Sequence, residues 1–158
     1  MAVGTVSGVA DEVWQLIGTN TPSAATSSVF SSISGYKKLM LVFTGNRSAA
    51  DYFWLRFNGD STAANYGGAS QMYATYANWD AGAGFIPFIG YRDDSTIATV
   101  ACAVIDYVNV DTPKLMQITG TRTSVGSGVY LGNAITSITV GVSSGTFTGT
   151  LKLYGIAA

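Results

Sequence analysis

The chain has 158 residues, 47% of them apolar and only 11% charged, with eight basic residues against nine acidic, no histidine and one cysteine. That length suits one domain with a core large enough to stand without staples, and a single cysteine excludes an intrachain disulfide. A net charge of −1 with no basic run argues against nucleic acid as a partner, and no apolar run approaches the ~18 residues of a membrane-crossing helix.

Soluble domains usually carry about 25% charged residues. A chain with less than half that share lacks the usual protection against association, so part of its surface is expected to lie against other subunits. Ser, Thr, Asn and Gly serving as the wetted surface is the competing explanation. The start, Met1-Ala-Val-Gly-Thr5, has neither a positive head nor a continuous apolar block. It does not read as a secretory signal, and the expectation is a protein made in a cytosol and not exported by that route.

Residues 1–10 are small and mildly apolar and read as an N-terminal arm or an edge strand, with residues 11–158 as the single folded domain. From Asp11 to Thr19 the pattern admits helix or strand, and strand is favoured; Thr19–Ser28 reads as a loop and Val29–Ile33 as a short strand. Lys37–Thr44 alternates, with Leu39, Leu41 and Phe43 on one side. Asp51–Asp60 does the same more strongly: Phe53, Leu55 and Phe57 oppose Tyr52, Trp54, Arg56 and Asn58. Asn58-Gly59 tolerates positive φ and should end that strand in a turn. The Gly45–Ser48 segment between the two strands predicts an antiparallel hairpin. Ser61–Gly68 reads as a long loop, Gln71–Tyr76 as a strand, Asn78–Gly84 as a loop and Phe85–Tyr91 as a strand, with Pro87 indicating an edge or bulge. Thr96–Val110 is apolar on both faces up to Ile105, which predicts a strand covered on both sides; Cys102 within it reads as a small core residue. Lys114–Gly120 is a strand, Thr121–Gly128 a loop, Tyr130–Gly132 a short strand, and Ala134–Val142 and Thr146–Ile156 close the chain. Eight to ten short strands with Gly- and Ser-rich turns, and no helical period, predict an all-β antiparallel sandwich of jelly-roll type.

The chemical inventory is thin. Without histidine there is no Ser-His-Asp triad and no histidine ligand for zinc. Asp51, Asp60, Asp80, Asp93, Asp94, Asp106 and Asp111 are the carboxylates from which a glycosidase pair would have to come, but most sit where aspartate caps a turn. Asn58-Gly59-Asp60 and Asp93-Asp94 are weak candidates for a calcium site, and hairpin turns explain them better. No catalytic residue, cofactor or metal is expected. Tyr66, Tyr73, Tyr76, Trp79 and Tyr91 crowd one third of the chain, partly in loops. They either anchor a protein interface or a sugar, or fill the ends of the sandwich.

Leu55-Arg-Phe-Asn-Gly-Asp60, with Asn65-Tyr66 soon after and Leu153-Tyr-Gly-Ile156 following a Gly/Thr/Ser-rich turn near the end, resembles tailed-bacteriophage virion proteins over roughly residues 36–156. The resemblance implies a β-sandwich structural module of tail fibres, baseplates or capsid surfaces, commonly trimeric, with no catalytic residues to carry over. A chain with room for the module alone suits a homotrimeric capsid decoration (cement) protein located in the virion, with itself and the major capsid protein as partners. A tail-fibre or baseplate module that recognises host glycan is the alternative.

Overall fold

The computed structural model describes residues 12–49, 52–72, 75–79, 84–89, 99–120 and 124–158. Among these, twelve strands and one 3-10 turn, Ala63–Asn65, are formed. The strands are β1 (Gln15–Asn20), β2 (Ser27–Phe30), β3 (Tyr36–Arg47), β4 (Phe53–Phe57), β5 (Tyr66–Met72), β6 (Thr75–Trp79), β7 (Ile86–Ile89), β8 (Thr99–Asp106), β9 (Lys114–Gly120), β10 (Ser124–Tyr130), β11 (Ile138–Val142) and β12 (Phe147–Ala157). Eight of them form one sheet in the order β1-β12-β3-β8-β9-β10-β5-β6, and four form the other in the order β2-β11-β4-β7. Every pairing is antiparallel, and the fold is the all-β sandwich that the alternating pattern predicts.

The core lies between the sheets and follows from that alternation. Leu39, Leu41 and Phe43 of β3 and Leu151 and Leu153 of β12 are fully buried from the large sheet, as are Phe53, Leu55 and Phe57 of β4 and Ile138 and Val140 of β11 from the small one. Phe43 and Phe53 meet across the layers at 4.8 Å between ring centroids, and Phe147 closes edge-on against both. Pro87 falls on β7, the edge of the small sheet, where a missing N–H costs no ladder bond.

Four expectations are corrected. β3 and β4 are not a hairpin: β3 pairs with β12 and β8, whereas β4 pairs with β11 and β7 in the opposite sheet. Two strands with equally heavy apolar faces stabilise each other more by facing across the core than by lying side by side. Thr121–Gly128 is not all loop, because β10 runs through its Gly- and Ser-rich residues; pairing with β9 and β5 on both sides overrides their low strand propensity. The Ser61–Gly68 segment likewise gives way to β5 from Tyr66 onward. β8 is covered on one face only: Thr99, Ala101, Ala103 and Ile105 point inward, while Val100 is 45% exposed on the other side. Residues 1–10 lie outside the described residues.

Phe57 sits at 0% exposure between Tyr66 and Tyr130. Phe57→Ala is expected to cost ~3–5 kcal/mol, the range for a truncated core aromatic, read from urea unfolding of the two proteins.

Candidate functional site

The motif residues 55–66 form a staple between the two sheets. At the end of β4 the chain turns through Asn58 (φ 55°) and Gly59 (φ 66°), a left-handed pair that favours these two residue types. The Asn58 side chain then holds the segment leading into β11: its amide donates to the Ala134 carbonyl at 2.8 Å, and its oxygen accepts from the N–H groups of Thr136 and Ser137 at 2.7 and 3.1 Å. Asp60 accepts from the Thr62 N–H at 2.8 Å, the Asn65 amide at 2.7 Å and the Tyr130 hydroxyl at 3.2 Å. The Tyr66 hydroxyl accepts from the Phe57 N–H and donates to the Asp60 carbonyl.

These contacts set the local titration. The hydrogen bond from Asn65, then that from the Thr62 backbone, holds the Asp60 carboxyl below its ordinary value. Burial, then the Asp60 carboxylate, pushes the Tyr130 phenol up to about 12, and burial raises that of Tyr66. Lys114, fully buried at the start of β9, donates to the Gly132 carbonyl and lies 5.6 Å from the centre of the Tyr130 ring. Its desolvation lowers its affinity for a proton, and Asp111 partly offsets this.

The polar residues of the motif are therefore occupied in holding the fold. Tyr66 is 2% exposed and belongs to the core, not to a loop surface. Tyr76 and Trp79 lie on β6, the edge strand of the large sheet, while Tyr73 and Tyr91 fall outside the described residues, as do Asp51, Asp80, Asp93 and Asp94. Asp106 pairs with Lys38 at 2.9 Å and Asp111 accepts from the Ala134 N–H. Among the described residues no three His, Cys, Asp or Glu side chains gather as a metal site would require.

Two surfaces escaped the sequence reading. On the outside of the small sheet, Tyr52 stacks on Phe85 at 5.6 Å and Trp54 lies 6.1 Å from the same ring. The Arg56 guanidinium sits 5.0 Å above Trp54 while its Nε donates to the Gly84 carbonyl. Gly141 lies so close beneath that ring that a Cβ there would come within 2.1 Å of it. The Arg56 guanidinium and Gly141 thus both lie against the Trp54 ring.

The second surface is the outer face of the large sheet. Strand register lines up three rows across it: Tyr154, Met40, Val104, Gln117 and Ser127; Lys152, Val42, Cys102, Thr119 and Val125; and Lys38, Asp106, Leu115 and Val129. Leu115 is 53% exposed and Val125 49%. Only Lys152 and the Lys38–Asp106 ion pair bring charge to these rows. Partial burial raises the pKa of the Cys102 thiol near the middle of the face. At the β9–β10–β5 end, Leu115, Gln117, Ser127, Val129 and Gly67 line a shallow depression of about 450 Å³. The signal for this face was in the sequence, in the apolar residues on both sides of residues 100–104. Its cover, however, is not supplied by the described residues of this chain.

No protein-family model and no curated protein matches the chain. Among solved structures it is similar to an exo-inulinase from Aspergillus awamori, at 10% identity and a TM-score of 0.49, over 92% of this chain and 29% of that one. It is similar to a fructofuranosidase from Schwanniomyces occidentalis complexed with fructose, at 7% and 0.47, over 92% and 34%. A Caenorhabditis elegans galectin gives 9% and 0.44, over 92% and 99%. The chain thus spans about a third of the length of the first two, and with every TM-score below 0.5 these resemblances do not extend to function.

The sign of the pH dependence follows from the two perturbed groups. The Asp60 carboxyl is more acidic folded than unfolded, so the stability it contributes is complete above its model-peptide value of 3.8 and is lost as pH falls below it. Asp60→Asn should therefore lose less stability than the parent between about pH 5 and about pH 2, in urea titrations at each pH. At the other end, the raised Tyr130 value gives stability that is complete below 10.0 and lost as pH climbs toward about 12. Tyr130→Phe should flatten that alkaline loss in the same titrations.

Proposed function

We propose that the protein is a non-enzymatic virion structural protein of a tailed phage, a homotrimeric capsid decoration protein that bridges capsomers and stabilises the head by buried area. The observation that carries this reading is the outer face of the large sheet, an apolar and nearly uncharged surface in a chain with 11% charged residues. Such a face gains free energy by being covered by other copies of the chain, and the assembled copies together present several moderate contacts that hold a decoration protein on its shell. The motif resemblance supports the virion setting, and the engagement of Asn58, Asp60, Asn65 and Tyr66 in the fold agrees with a motif that serves architecture and not catalysis. Its partners in this reading are its own copies and the major capsid protein, with no role for nucleic acid or membrane; no helix among the described residues is long and apolar enough to cross a bilayer.

Binding to purified capsids tests the reading. Saturable, stoichiometric binding that raises the temperature at which heads release DNA is the expected result. Binding to host cells that blocks phage adsorption, with none to capsids, would instead support the receptor-binding role.

A further inference from the structure

We infer that the outer face of the large sheet is a two-fold pairing surface whose occupant is a second copy of this chain, packed sheet against sheet. This rests on the self-associating part of the proposed function and adds a partner, a surface and a register to it.

Three observations point to a second copy. The first is area. Six strands, β12, β3, β8, β9, β10 and β5, at ~4.8 Å spacing and five to seven residues long give a footprint of roughly 29 by 20 Å, on the order of 600 Å² per copy. Two copies therefore bury about 1,200 Å², the lower end of the range for a specific interface, and Leu16 of β1, paired with Tyr154, extends the apolar row. The second is charge. Lys38 and Asp106 neutralise each other at 2.9 Å, which leaves Lys152, on β12, as the remaining charge of the three rows and favours a partner that carries little charge itself.

The third is relief. Bulk lies at one side of the face, in Met40 and Tyr154 on β3 and β12. The depression lies at the other, by Ser127 and Gly67 on β10 and β5. An in-plane two-fold axis running along the strands between β8 and β9 exchanges β3 with β10 and β12 with β5. It sets Met40 of each copy over Ser127 of the other and Val42 over Val125, filling each hollow with the opposite bulge. Lys38 then faces Val129 and Asp106 faces Leu115, so no like charges are opposed. The small crossing angle of aligned sheet packing accommodates this stacking. The contact is isologous and separate from any interface that closes a trimer, so trimers carrying it would join as sixes.

The test uses the full chain. Light scattering at tens of micromolar should give an even number of copies. Val125→Lys, at a side chain already half exposed in the single copy, should keep the fold by circular dichroism and weaken pairing by roughly a hundredfold or more, because each pair would bury two added cations, each beside Lys152 of the other copy. Val29→Glu, at an exposed site on the small sheet, should leave the assembly intact. In a Cys102→Ser background, Met40→Cys with Ser127→Cys should be joined between chains by a short bis-maleimide, which spans the ~10 Å between stacked sheets that a disulfide cannot, and neither single substitution should. A monomer, an odd-numbered species, an assembly that survives Val125→Lys, or a double-cysteine variant that fails to cross-link overturns the inference. Capsid binding is scored separately: a chain that pairs as described yet ignores capsids refutes the decoration role and leaves the pairing standing.

Discussion

The packing of β3 against β4 across the sandwich is the contact on which the rest of the molecule depends. Phe43 meets Phe53 at 4.8 Å between ring centroids, and Leu39, Leu41, Leu55 and Phe57 lie in the same core, six side chains at 0% exposure; burial of this kind is worth roughly 1.5–3 kcal/mol per large side chain. Around it each sheet grows by antiparallel pairing. β12 covers one side of β3 nearly end to end and β8 the other, while β11 joins β4 to β2. Placing Leu39, Leu41 and Phe43 inward has an unavoidable consequence. The period of two sends Met40 and Val42 to the opposite face, and β8 does the same with Val100, Cys102 and Val104. An apolar core strand with apolar alternates produces an apolar exterior.

That exterior is less polar than the solvated face of a sheet usually is. Natural sheets with one solvated face place polar side chains there, as β12 does with Lys152 and as the small sheet does with Arg56 and Thr139. β3 does so only toward its ends, with Lys38 and Thr44 on either side of Met40 and Val42, and β8 only with Asp106, beyond Val100, Cys102 and Val104. The polar side chains that look most like chemistry, Asn58, Asp60, Asn65 and Tyr66, are spent on joining the end of β4 to β5, β10 and the segment before β11. The sites with hydrogen-bonding capacity are thus committed inside the chain, and the surface with unspent free energy is apolar and flat. Together these favour contact with other protein as the function.

Much of this was legible in the residues. The inner faces of β3, β4 and β12 could be read from alternation alone, because a side chain's face depends only on its parity along the strand. Which strand lies beside which could not: Leu39–Phe43 and Phe53–Phe57 have the same pattern whether they pair or face each other, and only long-range partners such as β11 and β12 decide. β10 was hidden because Gly126, Ser127 and Gly128 carry turn chemistry that two flanking strands override. At Tyr107 a positive φ of 62° breaks the alternation, so Val108 is buried and Tyr107 exposed, the reverse of a simple count. Tyr66 was visible as an aromatic near a loop, but its place beneath Asp60 required knowing where Tyr130 would come to lie. The apolar outside of β8 was read correctly as apolar and wrongly as covered.

Cys102 stands close to the middle of that outer face and is the natural reporter of whether another surface covers it. Its alkylation rate, measured over a range of protein concentrations at constant reagent and pH, is the most direct measurement. If the face is where copies meet, the rate falls steeply as concentration rises and recovers on dilution. A rate independent of concentration, in a chain shown to be associated, would mean that the face stays open and that the molecule works through some other surface.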